Sequence, residues 1–250
     1  VRHFNASCNN KGWLGFRESR AERVFMKISE ENPDIFGISE VTDDEVFKAM
    51  EKILPDYSYS ITDGSQSQET LVGVRNSLSP VFRQKAEFKG GSSTLRPAAL
   101  TRIFNGDNPV RVLFCHLKSS TEADSFELRK KMCQEAAKLK RSFNPAAGAQ
   151  GPNFVFAGDM NTMGRKVRNQ REQNLSGAQE IEALEKYFKR NGMVFLPKTH
   201  GATYNGGSSS SYKPADLDHV VVSDHMRFKP VNENGALVSV KGWTELRSAS

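Results

Sequence analysis

Phe154-Val155-Phe156-Ala157-Gly158-Asp159-Met160-Asn161-Thr162 is the stretch on which the reading of this chain turns. Its first four residues form a continuous apolar run, the mark of a fully buried strand. Gly158 then frees the backbone, and Asp159 and Asn161 follow two residues apart. Extended backbone sends side chains at that spacing to the same side. The expectation is a carboxylate and an amide facing one pocket at the end of a buried strand, placed to hold a divalent cation or a phosphate. Gly-Asp-x-Asn is also good turn chemistry, so the motif draws its weight from its companions.

Those companions are polar residues standing at the ends of other apolar strands. Asn5 ends the strand Val1–Asn5, and Glu40 ends Ile35-Phe36-Gly37-Ile38-Ser39. His116 ends Val112-Leu113-Phe114-Cys115. Asp218 opens Val220-Val221-Val222 and is preceded by Asp216. Each has an ordinary reading by itself, as a solvated strand end, a hydrogen-bonded histidine or a turn former. Together they place Asn, Glu, His, Asp-x-Asn and Asp at successive strand ends, which turn chemistry alone does not explain.

Between these strands the pattern alternates with helices. Glu18–Glu31 carries Ala21, Val24, Phe25 and Ile28 at helical spacing. Thr42-Asp43-Asp44-Glu45 reads as a capping box ahead of a helix burying Val46, Phe47, Met50, Ile53 and Leu54. From Tyr57 to His116 strand follows strand: Tyr57–Ile61, Leu71–Arg75, Val81–Phe88, Ala99–Asn105 and Val110–His116. Helices are expected near Ser125–Arg141 and Gly177–Arg190, and a last strand over Leu217–Ser223. No internal repeat or linker divides the sequence. One α/β domain over residues 1–250 is the expectation, with sheets flanked by helices.

Composition narrows the partners. The 250 residues are 37% hydrophobic and 26% charged, enough for a substantial core. No run approaches the roughly 18 apolar residues of a membrane span, so stable membrane insertion is not expected. Val1 opens directly in a strand-like segment without a leader, and both secreted and cytoplasmic locations stay open. Cys8, Cys115 and Cys133 show no metal-ligand spacing and imply no disulfide framework. A net charge of +6 favours polyanionic partners: nucleic acid, phosphorylated small molecules or anionic headgroups. Arg165, Lys166, Arg168 and Arg171 crowd the loop after Gly-Asp-x-Asn and are candidates to track a phosphate backbone. Arg129, Lys130, Lys131, Lys138, Lys140 and Arg141 decorate one helix, where a solvated polar face is the expectation. Trp13 and Phe16, placed in a loop after Asn5, are read as packing under that loop, with base stacking as the alternative.

The order and wording of these motifs resemble the endonuclease/exonuclease/phosphatase superfamily, with its deoxyribonuclease-I-like fold. The matching pieces are Phe4-Asn5, Ser39-Glu40, His116-Leu117-Lys118-Ser119, Gly158-Asp159-Met160-Asn161 and Leu217-Asp218-His219-Val220-Val221-Val222-Ser223. Glu69 and Arg96-Pro97-Ala98-Ala99-Leu100 match more weakly. The resemblance implies a four-layered α/β sandwich, two packed mixed β-sheets flanked by helices, with a metal-dependent phosphoester-cleaving site. It makes Glu40 the main ligand of Mg²⁺ or Mn²⁺, with Asn5 beside it and Asp218 completing an acidic rim. Asp159 would orient or activate the attacking water, Asn161 would hold a phosphoryl oxygen, and His116 would donate to the phosphate or the leaving group. Arg96 and Glu69 would lie beside the substrate phosphate.

A nuclease acting as a monomer is the leading expectation. The alternatives are a phosphatase, a phospholipid or inositol-phosphate phosphodiesterase, and a catalytically incomplete nucleic-acid-binding regulator. Gly90–Thr94 and Gly206–Ser211 are polar loops, which argues against lipid.

One feature departs from the family pattern. The family carries an Asp-His pair after its last strands, usually inside Ser-Asp-His. Here Ser223-Asp224-His225 begins at the end of the very strand that Asp218 opens. Extended backbone would put Asp218 and His225 on the order of 20 Å apart. Asp224-His225 is therefore read as a decoy. A chain shortened before its C-terminal strand and true dyad is the favoured explanation. A naturally incomplete binding protein, or a bend after Val222 that returns His225, are the alternatives.

Overall fold

The computed structural model describes residues 1–5, 14–41, 46–65, 68–90, 92, 95–104, 108–145, 148–167, 173–206 and 211–241, and all their side chains but those of 4–5 and 14–21. The fold is α/β, with strands gathered into two mixed sheets of four and six strands, the class the sequence led to. By their contacts the residues fall into two compact units, Val1–His116 and Leu117–Ser250.

The first unit holds a sheet in which β1 (Arg2–Asn5) lies parallel to β2 (Ile35–Val41), and β4 (Glu69–Arg75) lies antiparallel to both β2 and β3 (Tyr57–Ile61). Two parallel strands need a long crossover, here made by α1 (Leu14–Glu31). Phe16, expected in a loop, falls inside that helix. With α2 (Val46–Ile53), α1 covers one face of the sheet: Phe25, Ile28 and Met50 pack with Phe36, Ile38, Tyr57 and Leu71. The capping box at 42–45 lies outside the described residues.

The other face of that sheet meets β5 (Val81–Lys85), β6 (Ala98–Ile103) and β7 (Val110–His116), an antiparallel run packed across β2 and β4. The strand expected over Val81–Phe88 stops at Lys85, and a 3₁₀ turn takes over at Ala86–Lys89. Two glycines make room for aromatic rings, Gly73 for one on the neighbouring strand of its own sheet and Gly37 for one on the facing strand β7. Phe36 and Gly37 are consecutive and point to opposite faces. A Cβ on Gly73, the register partner of Phe36, would stand 2.2 Å from the Phe36 ring. A Cβ on Gly37 would stand 2.3 Å from the ring of Phe114 on β7. Gly37→Ala is accordingly expected to destabilise the protein by about 1–3 kcal/mol, because the ring can yield only by leaving a packed rotamer. Urea unfolding would show it as a lower midpoint at unchanged slope.

The second unit is built on β10 (Asp218–Ser223), which pairs antiparallel with β8 (Asn153–Asp159) and with the short β9 (Met193–Phe195). The sequence gives no sign of β9, whose three residues are too few to show a period. Beside these strands lie α3 (Ala123–Arg141) and α4 (Gly177–Arg190). Phe188 of α4 anchors the helix to the strands, its ring 6.0 Å from Phe156 and 5.8 Å from Phe195. Among the described residues no helix is long and apolar enough to cross a membrane.

Candidate active site

The candidate residues stand in two groups, one in each unit. In the first, topology does the gathering. Asn5 ends β1 opposite Ser39, because the two strands run parallel. β4 runs the other way, so its first residue, Glu69, comes to the same end of the sheet and pairs with Val41. The ladder pairs Ser39 with Thr70 and Val41 with Glu69, which leaves Glu40 as the extra residue of a β-bulge. Bulges re-aim a side chain. Glu40 takes φ +65°, a left-handed conformation that a residue with a Cβ occupies at a cost on the order of 1–3 kcal/mol. Its Oε1 stands 4.0 Å from Nε2 of His116, a buried side chain at the end of β7. Arg96 donates through Nη2 to Oε1 of Gln68, the residue before Glu69. Glu69 accepts from Thr62 Oγ1 at 2.5 Å. The first unit thus assembles Glu40, Glu69, Arg96 and His116 around one sheet end; the Asn5 side chain lies outside the description.

In the second unit, Asp159 and Asp218 are direct cross-strand partners at the end of the β8–β10 pair. The expectation of extended backbone through Asp159 and Asn161 fails. β8 ends at Asp159, and Asn161 turns into the left-handed region at φ +49°, which asparagine tolerates better than most residues. The Asp159 carboxylate accepts the Asn161 backbone N–H through Oδ1 at 2.9 Å, closing a local turn. The Asn161 amide donates from Nδ2 to the Leu117 carbonyl at 3.0 Å, and the Leu117 N–H returns to the Asp159 carbonyl at 2.8 Å. Both side chains are buried. They are brought together by a turn and not by strand alternation.

Behind them lies a polar cluster that sequence reasoning missed. Thr162 Oγ1 donates to the Asp216 carbonyl at 2.5 Å and meets His219 Nε2 at 2.9 Å. Lys198 Nζ reaches Asp216 Oδ1, the Asp218 carbonyl at 2.8 Å and His219 Nδ1 at 3.3 Å. Burial pushes the His219 pKa down to about 3, helped by the Lys198 charge, so the ring is neutral and serves as a fixed hydrogen-bonding block. Burial also lowers Lys198 and raises Asp216, against their mutual attraction. The cluster pins the backbone on both sides of Asp218.

Arg129 corrects another expectation. It is 1% exposed and not part of a solvated helix face. Lys130 and Lys138 do face solvent, each in an exposed i,i+3 pair with a glutamate. Lys140 instead reaches back to the carbonyls of Asn191 at 3.0 Å and Gly192 at 2.7 Å, after the end of α4. The signal for Arg129 was available. Ser125, Arg129, Met132, Cys133 and Ala136 are all buried and follow the i, i+4, i+7, i+8, i+11 spacing of an inward face. In the basic loop Arg165 stacks over Phe126 at 5.5 Å, and Lys166 is exposed. Arg168, Arg171 and Trp13 lie outside the described residues, as does most of Gly206–Ser211. Asp224-His225 lies away from Asp159. His225 Nε2 meets Asn153 Oδ1 at 3.1 Å, and Asn153 opens the strand that Asp159 ends, about 20 Å along it. The bend that would return His225 to Asp218 is not present.

The sequence matches the Endonuclease/Exonuclease/phosphatase family over residues 3–239. The chain belongs to that family. No curated protein sequence matches it. Among solved structures, it resembles D. rerio TDP2 complexed with a single-strand DNA product, at TM-score 0.62 and 14% identity over 95% of this chain and 93% of that one. It also resembles a β-hairpin deletion mutant of Staphylococcus aureus beta toxin, at TM-score 0.64 and 13% identity over 96% and 91% of the two chains. A third likeness is to the Bacteroides thetaiotaomicron mannosyl-6-phosphatase Bt3783, at TM-score 0.56 and 13% identity over 89% and 84%. These likenesses show the shared fold. Family membership supplies the coarse function, hydrolysis of a phosphoester bond, and enzymes of the family generally use divalent metal ions.

A metal fit can be judged from the donors. Among the described residues no cluster of three or more His, Cys, Asp or Glu side chains is built to cage an ion. Mg²⁺ needs no such cage, since it keeps several waters and takes one or two carboxylates. A strained glutamate on a bulge near the end of its strand, itself a hard oxygen donor, fits that pattern.

Proposed function

We propose that the chain is a nuclease, a phosphodiesterase dependent on Mg²⁺ or Mn²⁺ that cleaves nucleic acid. The observation that carries the reading is Glu40: a glutamate held at positive φ on a β-bulge, its carboxylate 4.0 Å from a buried histidine. Backbone strain of this kind persists where the side chain's aim is used. Glu40 would hold the cation, with Asn5 and Asp218 as further oxygen donors. The bound ion would neutralise charge developing on the phosphoryl oxygens.

The chain's own groups supply the rest. Asp159, already fixed by the Asn161 N–H, orients the attacking water and takes its proton. Asn161 keeps one Nδ2 hydrogen on the Leu117 carbonyl and offers the other to a phosphoryl oxygen. His116 donates to the phosphate or the departing oxygen. Arg96 offers a guanidinium fork to the substrate phosphate, with Glu69 beside it.

Nucleic acid is favoured over a small phosphoester by the charge of +6, by the basic loop around Arg165 and Lys166, and by the D. rerio likeness, whose complex holds single-strand DNA. A direct comparison tests the choice: supercoiled plasmid, a labelled single-stranded oligonucleotide and mannose 6-phosphate, each with Mg²⁺ or Mn²⁺ and each with EDTA. Metal-dependent strand cleavage without phosphate release from the sugar is expected, and falling rates with added salt. Phosphate release from the sugar with both DNAs intact would move the assignment to a phosphatase.

A further inference from the structure

Arg129 uses every donor it has. The guanidinium carries five N–H groups. Nε donates to Glu180 Oε1 at 2.8 Å and Nη2 to Glu180 Oε2 at 2.9 Å, a bidentate pair. The second Nη2 hydrogen goes to the Gly164 carbonyl at 2.8 Å. Nη1 donates to the carbonyls of Lys118 at 3.2 Å and Ser120 at 2.6 Å. Glu180 Oε2 also accepts the Gly164 N–H at 2.7 Å. Both side chains are buried.

Two segments meet at this pair, 117–121 and 159–166, and each carries or adjoins candidate residues. At one end they are tied through Asn161 and Asp159 to Leu117. At the other they are tied through Arg129 and Glu180. Between the ties runs Ser120 N–H to Met163 Sδ at 3.4 Å, and just beyond the second runs Lys166 N–H to the Thr121 carbonyl at 2.6 Å. The start of α4 is itself fixed by a capping box, Ser176 with Gln179, one residue before Glu180. It presses on the same segment: a Cβ on Gly177 would stand 2.5 Å from the Thr162 carbonyl oxygen.

From this we infer that Arg129 and Glu180 are positioning residues for hydrolysis, a clamp that holds Asn161 and Asp159 in reactive geometry without touching substrate. The inference rests on the hydrolase reading above. Displacing reacting groups by about 1 Å can cost roughly 10²-fold in rate while leaving binding in place. A clamp of this kind therefore acts on kcat and spares KM.

Arg129→Lys keeps the charge but loses the fork. Glu180→Gln keeps the shape and weakens the pair, and serves should the lysine variant fail to fold. Amide hydrogen exchange and steady-state kinetics on the cleaved substrate read the result. Exchange at Leu117 and Asn161 is expected to quicken at least tenfold while Val221 and Val222 of β10 stay protected, and kcat to fall at least tenfold with KM within twofold. Exchange unchanged at Leu117 and Asn161, or quickened equally across the chain, would overturn the clamp, as would a change confined to KM. If the unsubstituted protein hydrolyses none of the substrates, the hydrolase reading falls by itself and the exchange measurement still decides the clamp.

Discussion

Asp159→Asn is expected to lower kcat about 10³-fold while leaving the unfolding midpoint almost unchanged. The reason lies in what the carboxylate does twice over. Its Oδ1 accepts the Asn161 N–H at 2.9 Å and so shapes the turn that carries Asn161. An amide oxygen in the same place accepts that hydrogen bond equally well, so the turn survives. What the substitution removes is the negative charge that, in the proposed role, would draw a proton from water, a contribution of typically 10²–10⁴-fold for a general base. Asp159→Ala removes both functions and should lose stability as well, since the Asn161 N–H is buried. Kinetics and thermal unfolding on the two variants separate them. An asparagine variant with near-normal kcat would show that Asp159 is only a turn former.

Arg129→Met is expected to cost about 3–5 kcal/mol of folding free energy, the typical result of stranding one partner of a buried ion pair. Glu180 would keep the Gly164 N–H but lose both guanidinium bonds, and the carbonyls of Lys118, Ser120 and Gly164 would lose their donor. Charge burial is the larger part of that loss. The double variant Arg129→Met, Glu180→Leu should therefore recover much of it, although the three carbonyls stay unsatisfied. Urea unfolding of the four proteins closes the cycle. A single variant within 1 kcal/mol of the parent would show that water or a rearranged loop replaces the pair, and that the core beneath the candidate residues is softer than its geometry suggests.

Much of this architecture was legible in the residues. Strands announced themselves by apolar runs, each with a polar residue at or next to one end. Asn5, His116 and Asp159 end their strands and Asp218 opens its own, while Glu40 falls one residue short of the end of β2, as the extra residue of a bulge. The rest depended on information that a local pattern does not carry. The bulge that turns Glu40 out of the ladder is set by the register of β2 against β4, a pairing across more than a loop's length. The turn at Asn161 is held by the Leu117 carbonyl, far away in sequence. Lys198 and Thr162 gain meaning only from partners on other segments. Arg129 was misread for a different reason. A charged side chain on a long helix is normally solvated, and the partner that reverses this rule, Glu180, is on another helix.

The central claim, a metal-dependent phosphoester hydrolase that binds its ion through Glu40, is tested most directly with a chromogenic phosphodiester. EDTA-stripped protein is supplied with bis(p-nitrophenyl) phosphate, and Mg²⁺ or Mn²⁺ is titrated back, in parallel with Glu40→Gln. The account predicts saturable turnover that appears with the metal and is lost by at least 10³-fold in the variant. Turnover that persists in EDTA, or that Glu40→Gln retains at full rate, would contradict it.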